Sequence, residues 1–290
     1  MDKKDENVVS ASFIVTIIER DILDLAKLVD SYKNMLEYEK TELIILVKYL
    51  SADNEKNLNR IVGDIPQISY YICYGANRCQ RKDIGLEYAV SNHLIYIDAD
   101  CTIDKDYFVN IKEDMRKYRV IRGKNAYIHS KKYLSKCNSI YRTLCDDMVF
   151  RDETFTPNLV IEKNFLKNAG GWEKDNTDAG DDFTLSRRLK RIYKFEIKHN
   201  EDAVMRISNS ADENFGKLIK TWLGYGKGYQ IRRRNNGICN VKTFFEYIPP
   251  FVYRFTKPVY YFPIAILNWI ILFCGYSGQI RSERKNVNEI

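Results

Sequence analysis

No Cys-x-x-Cys pair occurs in the sequence, although the 290-residue chain carries seven cysteines. An odd number without that spacing argues against a disulfide framework or a zinc ribbon, and for a reducing compartment. Histidine is scarcer still: His93, His129 and His199 are the only three, and none has zinc-protease spacing. The opening residues, MDKKDENVVSASF, lack the apolar segment of a secretory signal, so a cytoplasmic location is expected. No internal repeat or low-complexity linker is evident, which favours one composite domain. Against these absences stand 45% apolar and 29% charged residues, an ordinary globular balance that excludes wholesale disorder. The net charge of +7 suits an anionic membrane surface, a nucleotide or nucleic acid, and does not choose among them. Aromatics are plentiful, with 21 Tyr, 14 Phe and 3 Trp, as carbohydrate stacking, an interface or ordinary packing would each allow.

Hydrophobic patterning gives a regular alternation. Residues 12–18 (SFIVTII) read as a strand. The helix after it places Ile22, Leu25, Leu28, Val29, Tyr32 and Leu36 on one face, with Asp21 near its cap. Residues 42–49 form a near-continuous apolar run, as in a parallel strand covered on both faces. A short helix over 53–62, a turn at 63–66, a strand over 68–74, a helix over 79–91 and a strand over 94–97 follow. Strand and helix in strict turn predict an α/β domain with a largely parallel sheet. Beyond it, Tyr107, Phe108, Ile111, Met115 and Tyr118 form another helical stripe, and 121–123 begin a strand. Tyr133, Leu134, Cys137, Ile140, Tyr141 and Leu144 fit a helix whose partners the sequence does not reveal. Residues 158–162 look like a short strand, and 165–172 like a helix ending in a glycine turn. An amphipathic helix then begins near Asp181, with Leu185, Leu189 and Ile192 on its buried side.

Two acidic motifs carry the chemistry. The strand over 94–97 ends in Asp98-Ala99-Asp100, and alternation along an extended backbone sends both carboxylates to one side. Two hard oxygen donors at the carboxyl end of a strand suit Mg2+ or Mn2+ shared with substrate phosphates. The plainer reading is a surface turn in which Asp104 caps the next helix. Asp181-Asp182 is equally double: carboxylates favour helix N-termini, and a carboxylate can also act as general base toward a sugar hydroxyl.

In order and spacing, the first strand with its polar end, Asp98-Ala99-Asp100, Gly170-Gly171-Trp172 and Asp181-Asp182-x-x-Leu185 resemble the inverting family-2 glycosyltransferases. The resemblance covers residues 12–228 and implies a GT-A fold, Rossmann-like with a mostly parallel central sheet. It also implies a nucleoside-diphosphate sugar donor, with a UDP-sugar favoured, and a divalent cation, Mn2+ or Mg2+. Matched by position, Thr16, Ile18 and Glu19 are expected against the nucleobase. Lys82, from Lys82-Asp83-Ile84-Gly85, is expected to face the diphosphate. Asp98 would contact ribose or metal, Asp100 would bind the metal, and Gly171 and Trp172 would border the acceptor. Asp182 is then the expected base and Asp181 its orienting or acceptor-contacting neighbour.

Two positions depart from the family pattern. Lys48 stands on the donor side where an Asp usually binds the nucleobase, and a lysine has no acceptor for a base N–H. Arg206 lies near the place of a late metal-binding His, where its charge could offset a diphosphate. The segment 230–234 (QIRRR) is only loosely similar to the Gln-x-x-Arg-Trp of processive polymerases, and reads better as a basic surface segment. The implied activity is transfer of a hexosyl or N-acetylhexosaminyl group to a glycan or lipid-linked acceptor, in cell-surface polysaccharide synthesis. The alternative is a catalytically weak scaffold subunit of a polysaccharide-synthesis complex, motivated by Lys48 and the missing His. A nucleotidyltransferase is disfavoured because residues 16–20 contain no glycine. No nucleic-acid partner is expected, and a homodimer is left open.

The expected organisation is a GT-A domain over 1–240, with a donor half to about 125 and an acceptor half over 126–240, then a membrane-associating helical tail over 241–290. Residues 258–280 carry no charge and are long enough to cross a bilayer. Tyr260, Tyr261, Trp269 and Tyr276 suit a membrane interface. Pro258, Pro263, Asn268, Gly275 and Gly278 interrupt the run, so interfacial or hairpin helices or one short span are expected at the inner face of the cell membrane. The competing reading packs the tail on its own domain or in a dimer.

Overall fold

The computed structural model of the chain describes residues 9–149, 151–172, 180–208, 214–235, 266–271 and 273–277. Its strands and helices run β1 (Ala11–Ile17), α1 (Ile22–Lys33), β2 (Thr41–Val47), α2 (Ala52–Val62), β3 (Ile68–Ile72), α3 (Arg78–Tyr88), β4 (His93–Ile97) and β5 (Cys101–Ile103). They continue with α4 (Tyr107–Met115), β6 (Val120–Tyr127), α5 (Tyr133–Leu144), β7 (Leu159–Glu162), α6 (Lys163–Asn168), α7 (Asp181–Ile192), β8 (Lys198–Ile207) and α8 (Phe215–Asn235). The chain divides into two compact units. The first comprises Met1–Ala126, Glu153–Asn176 and Asp181–Ile207; the second comprises Tyr127–Asp152, Thr177–Gly180 and Ser208–Ile290.

The eight strands form one mixed sheet in the order β3-β2-β1-β4-β7-β6-β8-β5. The first four are parallel, as their apolar runs predict. Beyond β4 the sheet turns antiparallel: β7 against β4, β6 against β7, and β5 against β8. β1 alternates between two cores. Phe13, Val15 and Ile17 join α1, α2 and α4 on one face, while Ile14 joins α3, α6 and α7 on the other. Each such fully buried side chain contributes about 1.5–3 kcal/mol. α3 lies close to the sheet because Gly85 has no side chain; a Cβ there would sit 2.6 Å from Ile14 Cγ2. From β1 the chain steps outward to β2 and β3, then crosses back to lay β4 on the other side of β1. By the rule for open α/β sheets, that reversal marks the crevice at the carboxyl ends of β1 and β4 as the place for a ligand.

Several side chains fall outside their expected stripes because helices end early. α1 stops at Lys33, leaving Leu36 42% exposed, and α4 stops at Met115, leaving Tyr118 37% exposed. Ile192 closes α7 at 47% exposure and is not on its buried side. The helix expected over 79–91 ends at Tyr88, where Ala89 leaves the helical region (φ −55°, ψ 128°).

In the second unit, α5, α8 and the helical residues 266–271 and 273–277 share one apolar cluster. The rings of Tyr141 and Trp222 meet edge-on at 5.5 Å, and Asn268 Nδ2 donates to Asn138 Oδ1 at 3.1 Å in its interior. Asn214 Oδ1 caps α8 by accepting from the Gly216 and Lys217 amides. Residues 230–234 fall inside α8. Most of the tail, including residues 244–251 and 258–265, lies outside the described residues. Among those described, no helix is long and apolar enough to cross a membrane. Ile271 and Tyr276 face the cluster, while Ile266, Ile270 and Phe273 are 44–48% exposed.

Candidate active site

At the crevice, α3 presents two cations one turn apart, Arg78 and Lys82, and (i, i+4) spacing puts them on one face. Arg78 Nη2 donates to Asp98 Oδ1 at 2.9 Å, and its Nε lies 3.9 Å from Asp181 Oδ2. Lys82 Nζ donates to the same Asp181 oxygen at 2.5 Å. The result is an unbroken ionic chain, Asp98–Arg78–Asp181–Lys82, running from the end of β4 to the start of α7. Its inner end is dry: Lys82 is 3% exposed and Asp181 1%. The ammonium of Lys82 also sits 3.9 Å from the centre of the Trp172 ring, a cation–π contact in a desolvated setting. Burial pushes the Asp181 carboxyl up, but the charge of Lys82, then that of Arg78, outweighs it and holds the group at about 2.

Asp182 has the opposite environment. Its side chain is buried and accepts from the Phe183 amide at 2.9 Å and from Thr156 Oγ1 at 3.4 Å, while Thr154 Oγ1 donates to its backbone carbonyl at 2.8 Å. Burial, then the adjacent Asp181 anion, pushes its carboxyl up to about 6. Adjacent carboxylates driven apart in this way divide the labour, one fixed as an anion and the other titrating near neutrality. A carboxylate so tuned can take a proton from an attacking hydroxyl.

The glycine turn after α6 braces this arrangement. Gly170 and Gly171 have φ of 89° and 66°, and their amides return to the Lys167 and Leu166 carbonyls as a helix C-terminus requires. Asp83 Oδ1 accepts from the Trp172 amide at 2.7 Å, and Arg188 Nη2 donates to the Gly171 carbonyl. A Cβ on Gly171 would lie 2.5 Å from Asp83 Oδ1. Trp172 is fully buried, with its ring edge-on to Tyr96 at 4.9 Å. Trp172 therefore faces Lys82 and the core, not solvent.

The donor-side candidates lie along the ends of β1 and β2. Thr16 pairs with Leu46 and is half-buried. The Ile18 amide donates to Asp21 Oδ2 at 3.0 Å. Glu19 Oε1 accepts from the Ser51 amide at 2.8 Å and from the Ser51 hydroxyl, tying the exit of β1 to the start of α2. Hydrogen bonds from Asn54, then Ser51, hold its carboxyl below the usual range. Lys48 is exposed just past β2, and its amide donates to the Ile17 carbonyl at 3.1 Å. Arg206, on β8, forks onto Asp104 (2.7 and 2.9 Å).

Asp98 and Asp100 are both half-buried, and both raise the Cys101 thiol, after burial, through their charge. Among the described residues no group of three or more His, Cys, Asp or Glu side chains gathers to hold an ion. The strand does not continue through the motif as expected: residues 99 and 100 form a turn, the Cys101 amide donating to the Asp98 carbonyl at 3.2 Å, so alternation does not set the two carboxylates on one side. Two carboxylates, one of them already accepting from Arg78, could hold a cation only with further ligands from phosphate and water, as Mg2+ has in phosphate sites. They do not fit an all-protein cage.

The structure thus gathers Asp98, Lys82, Asp181, Asp182 and the Gly171–Trp172 turn around α3, with Glu19 and Lys48 at the neighbouring strand ends. Sequence reading missed Arg78, which links Asp98 to Asp181, and Asp83, which holds the Trp172 amide. The (i, i+4) spacing of Arg78 and Lys82 was a usable signal for the first.

The sequence matches no protein-family model and no curated protein. By structure, the chain is similar to a mannosyltransferase from Pyrobaculum calidifontis solved with GDP-Man and Mn2+. That likeness has a TM-score of 0.60 at 12% identity, over 94% of this chain and 76% of that one. It is also similar to residues 1–349 of TarS from S. aureus, with a TM-score of 0.53 at 12% identity, over 96% and 92% of the two chains. Against a longer TarS structure the TM-score is 0.52 at 11% identity, over 81% of this chain and 45% of that one. What these likenesses share with the chain is the fold.

Proposed function

We propose that the chain is a metal-dependent inverting glycosyltransferase that moves a sugar from a nucleoside diphosphate to a glycan or lipid-linked acceptor, in cell-surface polysaccharide synthesis. The observation that carries this reading is the split carboxylate pair: Asp181 fixed as an anion by Lys82 and Arg78, and Asp182 raised to about 6 beside it. The fold it shares with a mannosyltransferase solved with GDP-Man and Mn2+ supports the same assignment.

In this reading Asp182 accepts the acceptor hydroxyl proton as that oxygen attacks the anomeric carbon from the face opposite the diphosphate. The new carbon–oxygen bond forms as the bond to the phosphate oxygen breaks, and the diphosphate departs with the electron pair. Thr156 and the Phe183 amide hold the Asp182 carboxylate in place. Asp98 and Asp100 would hold the divalent cation, which when bound supplies Lewis-acid stabilisation of the leaving diphosphate. Arg78, 30% exposed at its side chain and touching Asp98, is the cation of α3 best placed to meet phosphate. Lys82 acts from behind, keeping Asp181 ionised. Thr16, Ile18, Glu19 and Lys48 border the nucleobase, with a UDP-sugar favoured, and Gly171 and Trp172 support the acceptor side.

The exposed Ile266, Ile270 and Phe273 recur at helical spacing, and we assign that face to the inner surface of the cell membrane. Co-sedimentation with vesicles containing an anionic lipid tests it; loss of binding in Ile270→Asp with Phe273→Asp is expected, and undiminished binding would remove the assignment. The deciding experiment for the activity is a panel of UDP-, GDP- and dTDP-sugars assayed for nucleoside diphosphate release with and without EDTA. The rival reading, a catalytically weak scaffold, is favoured by one observation: Lys82, expected on the diphosphate, is buried on Asp181. Calorimetric titration that finds no donor binding in the presence of Mn2+ would select it.

A further inference from the structure

A groove of about 1060 Å3 runs along the outer side of α3, opposite the face that carries Arg78 and Lys82. Its floor is Gln80, Asp83, Ile84 and Glu87, spaced at three and four residues so that they form one stripe. Its walls come from the β3–α3 connection and from the glycine turn after α6. At the upper end of the size range of small-ligand sites, it has room for several pyranose rings.

Two tyrosines stand exposed on its rim, Tyr74 at 75% and Tyr88 at 51%. Tyr88 is backed by the Tyr71 ring, stacked at 4.1 Å and 20°, so it is a supported plate. Between them lie three planar polar groups, each already oriented by an internal partner. Gln80 Oε1 accepts from the Asn77 amide at 2.9 Å, Asp83 Oδ1 from the Trp172 amide at 2.7 Å, and Glu87 Oε2 from Lys167 at 2.7 Å. Aromatic plates with planar polar groups suit a pyranose, which offers a C–H face to a ring and hydroxyls to the remaining atoms of a carboxylate or amide. Orientation before binding lowers the ordering cost of a weak polar ligand. The charges select among glycans. Asp83 and Glu87 against one lysine, itself paired with Glu87, leave the groove slightly acidic. That repels a polyanion and admits a neutral chain.

We propose that this groove binds a segment of a neutral glycan, at a site separate from the reacting sugar. The inference rests on the glycosyltransferase reading for its purpose, since the bound segment would belong to the acceptor chain. The shared wall is the glycine turn: Asp83 faces the groove and holds the amide of Trp172, whose ring covers Lys82 on the other side. The groove would thus hold a longer acceptor beside the centre without occupying it.

The test uses the full chain and neutral tetrasaccharides (cellotetraose, chitotetraose, maltotetraose and mannotetraose), with tetragalacturonate as the anionic control, followed by NMR or calorimetric titration. Binding of at least one neutral tetrasaccharide is expected, weakened about tenfold or more in Tyr74→Ala and Tyr88→Ala. Glu87→Ala, at an exposed position, serves as a second variant, and a thermal melt for each excludes misfolding. No neutral binder, undiminished binding in all three variants, or tetragalacturonate binding as tightly as the best neutral chain overturns the proposal. Nucleotide release in the donor panel reports separately on the catalytic reading. Oligosaccharide binding without release from any donor keeps the groove and removes the enzyme; release without oligosaccharide binding does the reverse.

Discussion

Replacing Asp182 by asparagine should make the protein more stable and inactive together, by a stability gain whose size depends on pH. The folded carboxyl is raised from 3.8 to about 6, by burial and then by Asp181. Two units correspond to about 3 kcal/mol between the protonated and ionised forms. Because the folded pKa lies above the unfolded one, the folded chain holds a proton between about pH 4 and 6 that the unfolded chain has released. The stability tied to that proton is full below about pH 4 and is lost as pH rises through about 6. Above that, the wild-type chain bears a buried anion next to another. The amide carries no charge and keeps the acceptor oxygen for the Phe183 amide, so Asp182→Asn removes the cost at high pH only. Thermal melts at pH 8 should show a gain of roughly 5–10 °C over wild type, shrinking to nothing near pH 4. Nucleoside diphosphate release at pH 8 should fall by about 10²–10⁴-fold, the usual loss of a general base. A melt at pH 8 that is unchanged or lower, or release within tenfold of wild type, would refute the assignment of Asp182 as a strained, buried base.

Further outcomes follow from the same geometry. Lys82→Met strands the buried Asp181 with only Arg78 at 3.9 Å; urea midpoints should report a loss of about 3–5 kcal/mol. The same variant should shift the acid limb of the rate profile, since Lys82 acts on the Asp182 carboxyl both directly and through the ionisation of Asp181; an unmoved limb contradicts the ionic chain. Gly171→Ala forces a Cβ at φ +66° to within 2.5 Å of Asp83 Oδ1, so denaturation should show a loss of at least about 1–3 kcal/mol. EDTA should abolish nucleotide release and Mn2+ or Mg2+ restore it, with Asp100→Asn needing more cation; activity indifferent to EDTA would exclude the role given to Asp98 and Asp100.

The parallel half of the sheet was legible because every signal agreed: apolar runs of strand length, turn residues between them, and helical stripes in between. β2 is the clearest case, with Leu43 to Val47 all buried beneath helices on both faces. The antiparallel half was legible only in part: residues 121–123 and 158–162 read as strands and overlap β6 and β7, but nothing local gave their direction. β5 is three residues long and exists only by pairing with β8, about a hundred residues away, and no local pattern encodes such a partner. β8 did carry a short signal, since Ala203, Met205 and Ile207 alternate inward, but its first half is largely exposed. At the site, residue types marked Asp98, Asp181 and Asp182, yet which cation would meet which carboxylate depends on how α3 rests on the sheet. Gly85 fixes that approach. Lys82, marked for the diphosphate, turns inward to Asp181, and Arg78 one turn earlier reaches Asp98.

The burial of Lys82 also gives the site a built-in clock. Amine reagents attack only the neutral, solvent-reached form of a lysine, and Lys82 is enclosed by Asp181 on one side and the Trp172 ring on the other. Surface lysines such as Lys27 and Lys56 should label within minutes, whereas Lys82 labels only when α3 and the start of α7 part. Its labelling rate, read by mass spectrometry of the Lys82 peptide, therefore measures how often the catalytic centre opens. Any ligand that ties these two helices together should slow it.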